Sequence, residues 1–346
     1  MNNRIKKLRS ILRKKNLDSI IISNASNILY LSGFNGLDSY LLVTLNSCFL
    51  LTDSRYKEQA KSAFLDLSVI IEGGGLYQKV ASIIKKLKLK KIALEASSFS
   101  VKDIYHIEKL TNKKLIYSDG LVEKLRIIKD TDEIANMRQA ANATKKALKR
   151  IIKEVKKHKS ELAIAAKLDF FLYTSGADGL AFETIVASGE NASMPHARPT
   201  TKKIKPGEPV VIDFGGKVNG YSSDLTRTLF VGKISERFTL IYNIVRVAQE
   251  IAIKKIAPGV KISEIDKAAR SYISKRGFGE YFTHATGHCL GIDVHERPSI
   301  NSKTHTTLKE GMVLTVEPGI YLPGEGGVRI EDTVLVTAGG YEVLTR

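Results

Sequence analysis

The sequence predicts an α/β domain followed by an α+β domain. Three observations carry this reading. Through the first third, short apolar runs alternate with helix-periodic stretches. Near residue 130 a long, strongly periodic helix begins. Beyond it, long helices mix with strands that end on carboxylates. The length of 346 residues suits two domains of ordinary size.

The first segment, "MNNRIKKLRSILRKK", places Ile5, Leu8, Ile11 and Leu12 at helical spacing. No apolar stretch long enough for a secretory leader follows, so an amphipathic helix is expected there. "LDSIIIS", "SYLLVTL" and "CFLLT" read as strands and "DSRYKEQAKSAF" as a helix. "LSVIIEG" reads as a strand, "LYQKVASIIKKLK" as a helix and "KKIALEA" as a strand. Together these predict a mixed sheet covered by helices. From "KDTDEIANMRQAANATKKALKR" onward the pattern changes to a long helix capped at Thr131 or Asp132. The boundary is placed just before it, near Leu125, giving domains 1–125 and 126–346. Further helices are expected in "SELAIAAKLDFFLYTSG", "ERFTLIYNIVRVAQEIAIKKI" and "KISEIDKAARSYISKRG".

Composition narrows the function classes. The formal charge is +18, and residues 1–129 contribute +12 of it, from 23 Lys/Arg against 11 Asp/Glu. The basic runs lack interleaved aromatics and any nucleic-acid-binding motif. They are read as a solvated Lys-rich surface, with no nucleic-acid partner expected. No apolar run is long enough for a membrane span. Cys48 and Cys289 are too few for a disulfide framework. These features make a cytoplasmic location the expectation.

The chemistry lies in strands that carry charge. "PVVIDFGGKVNGYSSDLTRTLFVG" reads as strand, turn, strand. Asp213 follows Val210, Val211 and Ile212, where a lone carboxylate is costly to bury. Asp224 lies across the turn, at an odd separation that puts both on one face of a hairpin. A four-residue loop at "KVNG" would set them directly opposite, and a turn at "NG" alone would set them on a diagonal. Either way they are close, and two carboxylates that close do not both stay ionised unless a cation sits between them. "GMVLTVEPGIYLPGEGGVRIEDTVLVT" repeats the pattern with Glu317 and Glu331. Their even separation is read as needing a bulge or irregular loop to bring them together. Between these hairpins, "THATGHCLGIDVHE" places His284 and His288 four apart. That is the spacing of a zinc-protease helix, but Ala285 stands where such a helix needs Glu. Oxygen-rich ligands with one imidazole suit manganese, cobalt or zinc, and paired carboxylates suit a two-metal site.

At these residues the sequence resembles the pita-bread metallopeptidases, the family of methionine aminopeptidase, Xaa-Pro aminopeptidase (aminopeptidase P) and Xaa-Pro dipeptidase (prolidase). Their ligand order of Asp, Asp, His, Glu, Glu matches Asp213 in "VIDFGG", Asp224 in "YSSDLTRT", His288 in "HATGHCLG", Glu317 in "TVEPGIY" and Glu331 in "RIEDT". "SNASNILYLSGF" and "LLTDSRYKEQA" resemble the creatinase-type domain that precedes the catalytic domain in proline-specific members. The resemblance therefore implies an α/β N-terminal creatinase-type domain followed by an α+β pita-bread catalytic domain. It implies two divalent metal ions per chain, manganese first, with cobalt or zinc as alternatives. Asp213 would chelate one ion, His288 and Glu317 the other, and Asp224 and Glu331 would bridge them.

Glu317 also matches the proton shuttle. His196 in "SMPHARPT" matches a residue that contacts the scissile carbonyl or oxyanion. His284 and His295 match histidines that line the substrate pocket and hydrogen-bond the peptide. Arg329 matches an arginine that supports the acidic cluster, and Tyr221 is a pocket wall at most. The chain departs from the family at Ala285, where a glycine is usual, and at Cys289, which is read as a small core residue. His106, His158 and His305 have no motif around them. The implied activity is a metal-dependent Xaa-Pro aminopeptidase acting on peptides with proline at the second position, as a homodimer. An Xaa-Pro dipeptidase is the alternative, and a non-catalytic binding protein on the same fold a more distant one. A metal-free creatinase-like hydrolase is disfavoured by the intact ligand set, and methionine aminopeptidase by the N-terminal domain.

Overall fold

The computed structural model describes residues 3–62, 67–71, 75–155 and 159–346. The chain divides into two compact units, Met1–Arg126 and Ile127–Arg346.

In the first unit the described elements are α1 (Asn3–Lys14), β1 (Ser19–Ile22), α2 (Ala25–Ser32), β2 (Tyr40–Thr44), β3 (Cys48–Thr52), β4 (Ser68–Ile71), α3 (Leu76–Lys86), β5 (Ile92–Leu94), α4 (Val101–Thr111), β6 (Ile116–Tyr117) and α5 (Glu123–Arg126). The strands form one mixed sheet in the order β4-β3-β2-β1-β5-β6. β1 is antiparallel to β2 and parallel to β5. Ile20, Ile21 and Ile22 are all fully buried, as expected for a central strand covered on both faces.

The expected helix over "DSRYKEQAKSAF" is replaced by 3-10 turns at Ser54–Tyr56 and Gln59–Ser62. Of its described residues only Ala60 is buried, so among them no apolar face holds a longer helix in place. Ala63 and Phe64 of that segment, like Glu72 and Gly73 of the expected β4 strand, lie outside the described residues, as does His158. Helices α2 and α4 were not expected. Asn24 and Ser100 cap them through side chain to backbone bonds.

The second unit begins with α6 (Thr131–Ile151). Its cap is Asp130, one residue before the expected position, because Glu133 completes a capping box with it. There follow α7 (Glu161–Thr174), β7 (Gly179–Leu180), β8 (Ile185–Ser188), β9 (Pro209–Phe214), β10 (Gly216–Val218), β11 (Tyr221–Ser222), β12 (Leu225–Phe230), α8 (Glu236–Ile253), α9 (Ile262–Ser274), β13 (Gly287–Cys289), β14 (Glu296–Ile300), β15 (Val313–Val316), β16 (Gly319–Leu322), β17 (Gly326–Arg329), β18 (Asp332–Thr337) and β19 (Gly340–Val343). Helices α6 and α7 pack on β8, β9 and β12 through Ala147, Ile164, Leu168, Ile212 and Phe214. Helices α8 and α9 pack on β13, β15 and β18 through Ile244, Ala248, Ile265, Ala269, Leu314 and Val334. Strands of both layers direct charged residues between them.

Two registers place those charges. In the first hairpin Thr226 is opposite Asp213, and the turn is at Asn219-Gly220, between Val218 and Tyr221. Asp224 is two residues from Thr226, so the two aspartates lie on a diagonal of one face. In the second, Val316 pairs with Asp332 and Gly319 with Arg329. The same register sets Glu317 opposite Glu331 without the expected bulge. No bulge is needed because the connecting loop, Pro323-Gly324-Glu325, has an odd number of residues, which puts residues of even separation on one face.

Candidate metal centre and active site

β9 delivers Asp213 and β13 His288, while Asp224 directly precedes β12, Glu317 directly follows β15 and Glu331 sits at the junction of β17 and β18. β13 sits tight on its neighbour: a Cβ on Gly287 would lie 2.1 Å from Thr315 O, so only glycine allows this approach. The Thr315 hydroxyl accepts from His288 N–H at 3.0 Å and donates to Glu317 Oε1 at 3.2 Å. It thereby locks two of the candidate ligands to each other.

The resulting cluster is dense in acceptors. Ligand atoms of Asp224, His288 and Glu331 all lie within 4.8 Å of one another. His288 Nε2 is 3.4 Å from Glu317 Oε1 and 3.6 Å from Asp224 Oδ2. His288 Nδ1 lies 3.1 Å from Cys289 O and so carries the ring proton. Burial lowers the His288 pKa, favouring the neutral ring. Its Nε2 lone pair therefore points at carboxylate oxygens. Burial first, then the charge of Glu331, pushes Asp224 well above the usual carboxylate range. Burial, then Glu317, does the same to Glu331. Burial raises Glu317 to about 7 against the opposing charge of Arg329. Asp213 Oδ1, Asp224 Oδ1 and Glu331 Oε1 are buried without a hydrogen-bond partner.

Arg329 is the cation that the protein itself supplies. Nη2 donates to Asp213 Oδ2 at 2.6 Å, Nη1 to Tyr321 Oη at 2.9 Å and Pro195 O at 3.0 Å, and Nε to Thr226 Oγ1 at 3.2 Å. Burial works to lower its pKa, but Tyr321, Asp213 and Glu317 outweigh it and raise it. Thr226 Oγ1 in turn donates to Glu331 Oε2 at 2.6 Å.

A cavity of about 730 Å³ opens on the cluster and is lined by His196, His284 and His295 besides the five carboxylate and imidazole residues. The His295 ring stands edge-on to His288, centroids 4.5 Å apart. His295 precedes Glu296, whose carboxylate forms a buried ion pair with Lys129 at 3.1 Å and accepts from Ile292 N–H. His284 lines the cavity with both ring nitrogens already engaged. Its Nδ1 lies 2.7 Å from Ala285 O and its Nε2 2.9 Å from Tyr321 Oη, which leaves neither nitrogen for a peptide in this arrangement. Burial, then Arg329, lowers its pKa to about 4, so the ring is neutral and accepts the Tyr321 hydroxyl. Ala285 is outside the positive-φ residues, so the missing glycine there causes no backbone strain. Cys289 is buried and unpaired in the core. Tyr221 is turned away from the cavity, its hydroxyl bonded to Glu133 at 3.1 Å. Sequence reasoning missed Thr226, Thr315 and Tyr321. Thr226 and Thr315 each lie two residues from a charged strand position, and therefore on the same face, which was the available signal.

Comparison with known proteins decides the family. The model of metallopeptidase family M24 matches residues 135–338, and that of the Creatinase/Prolidase N-terminal domain matches residues 4–128. The chain belongs to metallopeptidase family M24. Among M24 relatives, the Xaa-Pro dipeptidase of Pyrococcus horikoshii is 37% identical, with 100% of this chain and 97% of that protein covered. A solved structure of the Xaa-Pro dipeptidase from Bacillus anthracis superposes with a TM-score of 0.96 at 37% identity, covering 99% of this chain and 97% of that one. The X-Pro aminopeptidase from Thermotoga maritima gives 0.90 at 36%, covering 96% of each. The M24 fold here is thus the pita-bread fold with a creatinase-type N-terminal domain. M24 membership implies a hydrolase that uses divalent metal ions, and the cluster fits them. Converging acceptors, an imidazole lone pair and orphaned buried carboxylate oxygens are satisfied by cations and by little else. Among the described residues no helix is long and apolar enough to cross a membrane.

Proposed function

We propose that the protein is a metal-dependent dipeptidase that hydrolyses Xaa-Pro dipeptides. The observation that carries the reading is the set of orphaned carboxylate oxygens facing the His288 lone pair at the floor of the cavity. The choice of dipeptide is supported by similarity along the whole chain to Xaa-Pro dipeptidases, and it replaces the aminopeptidase that the sequence favours first.

Asp213, Asp224, His288, Glu317 and Glu331 would hold two divalent ions, with manganese the first choice for so oxygen-rich a set. When bound, such ions supply Lewis acidity, lowering the pKa of water and polarising the peptide carbonyl. The chain's own groups do the rest. Glu317, held by Thr315 beside His288, is assigned the proton transfer between the attacking water and the leaving prolyl nitrogen. His196, on the cavity wall, is assigned to the oxygen on which negative charge develops. His295 and His284 shape the wall, and Arg329 fixes Asp213 while balancing the acidic charge. The working form is taken to be a homodimer.

A second reading, an Xaa-Pro aminopeptidase, is favoured by the likeness to the Thermotoga maritima protein. Assay of Ala-Pro, Ala-Pro-Ala and N-acetyl-Ala-Pro after manganese reconstitution separates them. The dipeptidase cleaves the first alone. Comparable kcat/KM on the tripeptide would move the assignment to the aminopeptidase, and no cleavage of either would reject both.

A further inference from the structure

We propose that Glu161 is a positioning residue that pins the base of the loop from Ser188 to Thr200 and so aims His196 into the cavity. The proposal rests on the peptidase reading above, which gives His196 its task.

Glu161 opens α7 directly after the cap Ser160 and is wholly buried. A buried carboxylate needs compensating donors. Oε1 accepts from Ser188 N–H at 2.7 Å, the Ser188 hydroxyl at 2.8 Å and Asn191 Nδ2 at 3.1 Å. Oε2 accepts from Thr200 N–H at 3.0 Å, the Thr200 hydroxyl at 2.7 Å and Asn191 Nδ2 at 3.1 Å. The backbone continues the clamp: Glu161 N–H donates to Lys202 O at 3.1 Å and Leu162 N–H to Thr200 O at 2.9 Å. The partners of the carboxylate are hydroxyls and amides. The Lys202 ammonium is engaged instead by Ser188 Oγ at 2.9 Å and Glu208 at 2.8 Å.

An acid that merely served the helix would bond amides of its own first turn or answer the helix dipole. Glu161 reaches out of the helix and closes one loop at both ends. That loop is held elsewhere too. It lies flush on β17, where a Cβ on Gly327 would meet Ala192 O at 2.2 Å. Arg329 Nη1 donates to Pro195 O at 3.0 Å, directly before His196. His196 is exposed on the cavity wall, so its direction is set by the backbone beneath it. Glu161 is the anchor at the foot of that backbone and touches no cavity-lining side chain among its partners.

The test is Glu161→Gln, which keeps the shape but turns an amide NH2 toward donors. Three readouts are taken on the full chain with manganese: amide hydrogen exchange of residues 189–199, steady-state kinetics on Ala-Pro, and a cycle with His196→Ala. Expected are faster exchange in the loop, a kcat lower by roughly ten- to a hundred-fold with KM within about threefold, and a double variant within about threefold of His196→Ala alone. Exchange in the loop equal to that of the parent would overturn the proposal, as would fully additive losses in the cycle. Should Glu161→Gln fail to fold, Thr200→Val removes one loop-side donor and carries the same expectations at smaller size. A parent protein inactive on dipeptides would sink the peptidase reading, while the exchange measurement would still decide whether Glu161 holds the loop.

Discussion

Thr226→Val separates the cost of an unsatisfied carboxylate from the cost of lost packing. The two side chains are nearly isosteric, and Thr226 is fully buried, so no cavity is introduced. What disappears is one hydroxyl that donates to Glu331 Oε2 at 2.6 Å and accepts from Arg329 Nε at 3.2 Å. Glu331 Oε1 is already without a partner, so the carboxylate loses its protein donor altogether. A hydrogen bond to a buried charge is worth about 1.5–3 kcal/mol. In metal-free protein the loss is capped, because Glu331 is already displaced toward its neutral form and protonation relieves it. Metal binding needs the ionised form, so the loss appears there: roughly a 10–100-fold weaker affinity, the usual effect of removing a group that orients a ligand. The penalty grows as pH falls, since protons then compete for the same oxygen. Manganese titration by calorimetry at pH 6 and pH 8, with urea unfolding in chelator as the control, measures both. Affinity within about threefold of the parent at both pH values would refute the claim that the Thr226 hydroxyl prepares Glu331 for a cation.

Other expectations follow from neighbouring contacts. Asp224→Asn replaces a buried carboxyl that is costly to ionise beside Glu331 and Asp213, so in chelator it raises the unfolding free energy by on the order of 1 kcal/mol; with manganese present it abolishes turnover, and an unfolding free energy lowered in chelator would contradict this. Lys129→Met breaks the buried pair with Glu296 (side chains 1% and 8% exposed) and costs about 3–5 kcal/mol in chemical unfolding, part of which Lys129→Met/Glu296→Gln restores. Burial, then the charge of Glu123, raises Glu95 from 4.5 to about 7. Because the folded value is the higher one, its contribution is complete below pH 4.5 and is lost as pH rises toward 7. Glu95→Gln therefore flattens the fall in stability across that window, by about 3 kcal/mol at most, read from thermal unfolding between pH 4.5 and 8.

The four candidate ligand carboxylates were legible because each breaks a local rule. A carboxylate after Val210-Val211-Ile212 or after Val313-Leu314-Thr315-Val316 has no reason to be there without a partner. That Asp213 and Asp224 share a face was also legible from their odd separation, whereas the choice of the diagonal over a directly opposite pair needed the observed turn at Asn219-Gly220. The register of Glu317 against Glu331 was not, because parity depends on loop length and Pro323-Gly324-Glu325 does not announce its own. The sequence places His284 beside His288 but says nothing of Tyr321, thirty-seven positions away, whose hydroxyl takes the His284 nitrogen. Glu161 reads locally as an ordinary acid in the first turn of a helix, and only tertiary contacts reveal its reach to Ser188 and Thr200. Strands β1 to β5 of the first unit are readable from their apolar runs, whereas the two-residue, exposed β6 carries no such run, and among the described residues of Ser54–Ser62 helical composition finds almost nothing buried to hold a helix.

If the buried carboxylates and His288 are built around divalent cations that the reaction requires, metal content and activity rise and fall together. Elemental analysis of the purified chain, paired with Ala-Pro hydrolysis before and after chelation, measures both. Expected are two transition-metal ions per chain at saturation, activity lost on chelation, and activity restored by manganese. Fewer than one tightly bound ion per chain, with no activity on added manganese or cobalt, would contradict it.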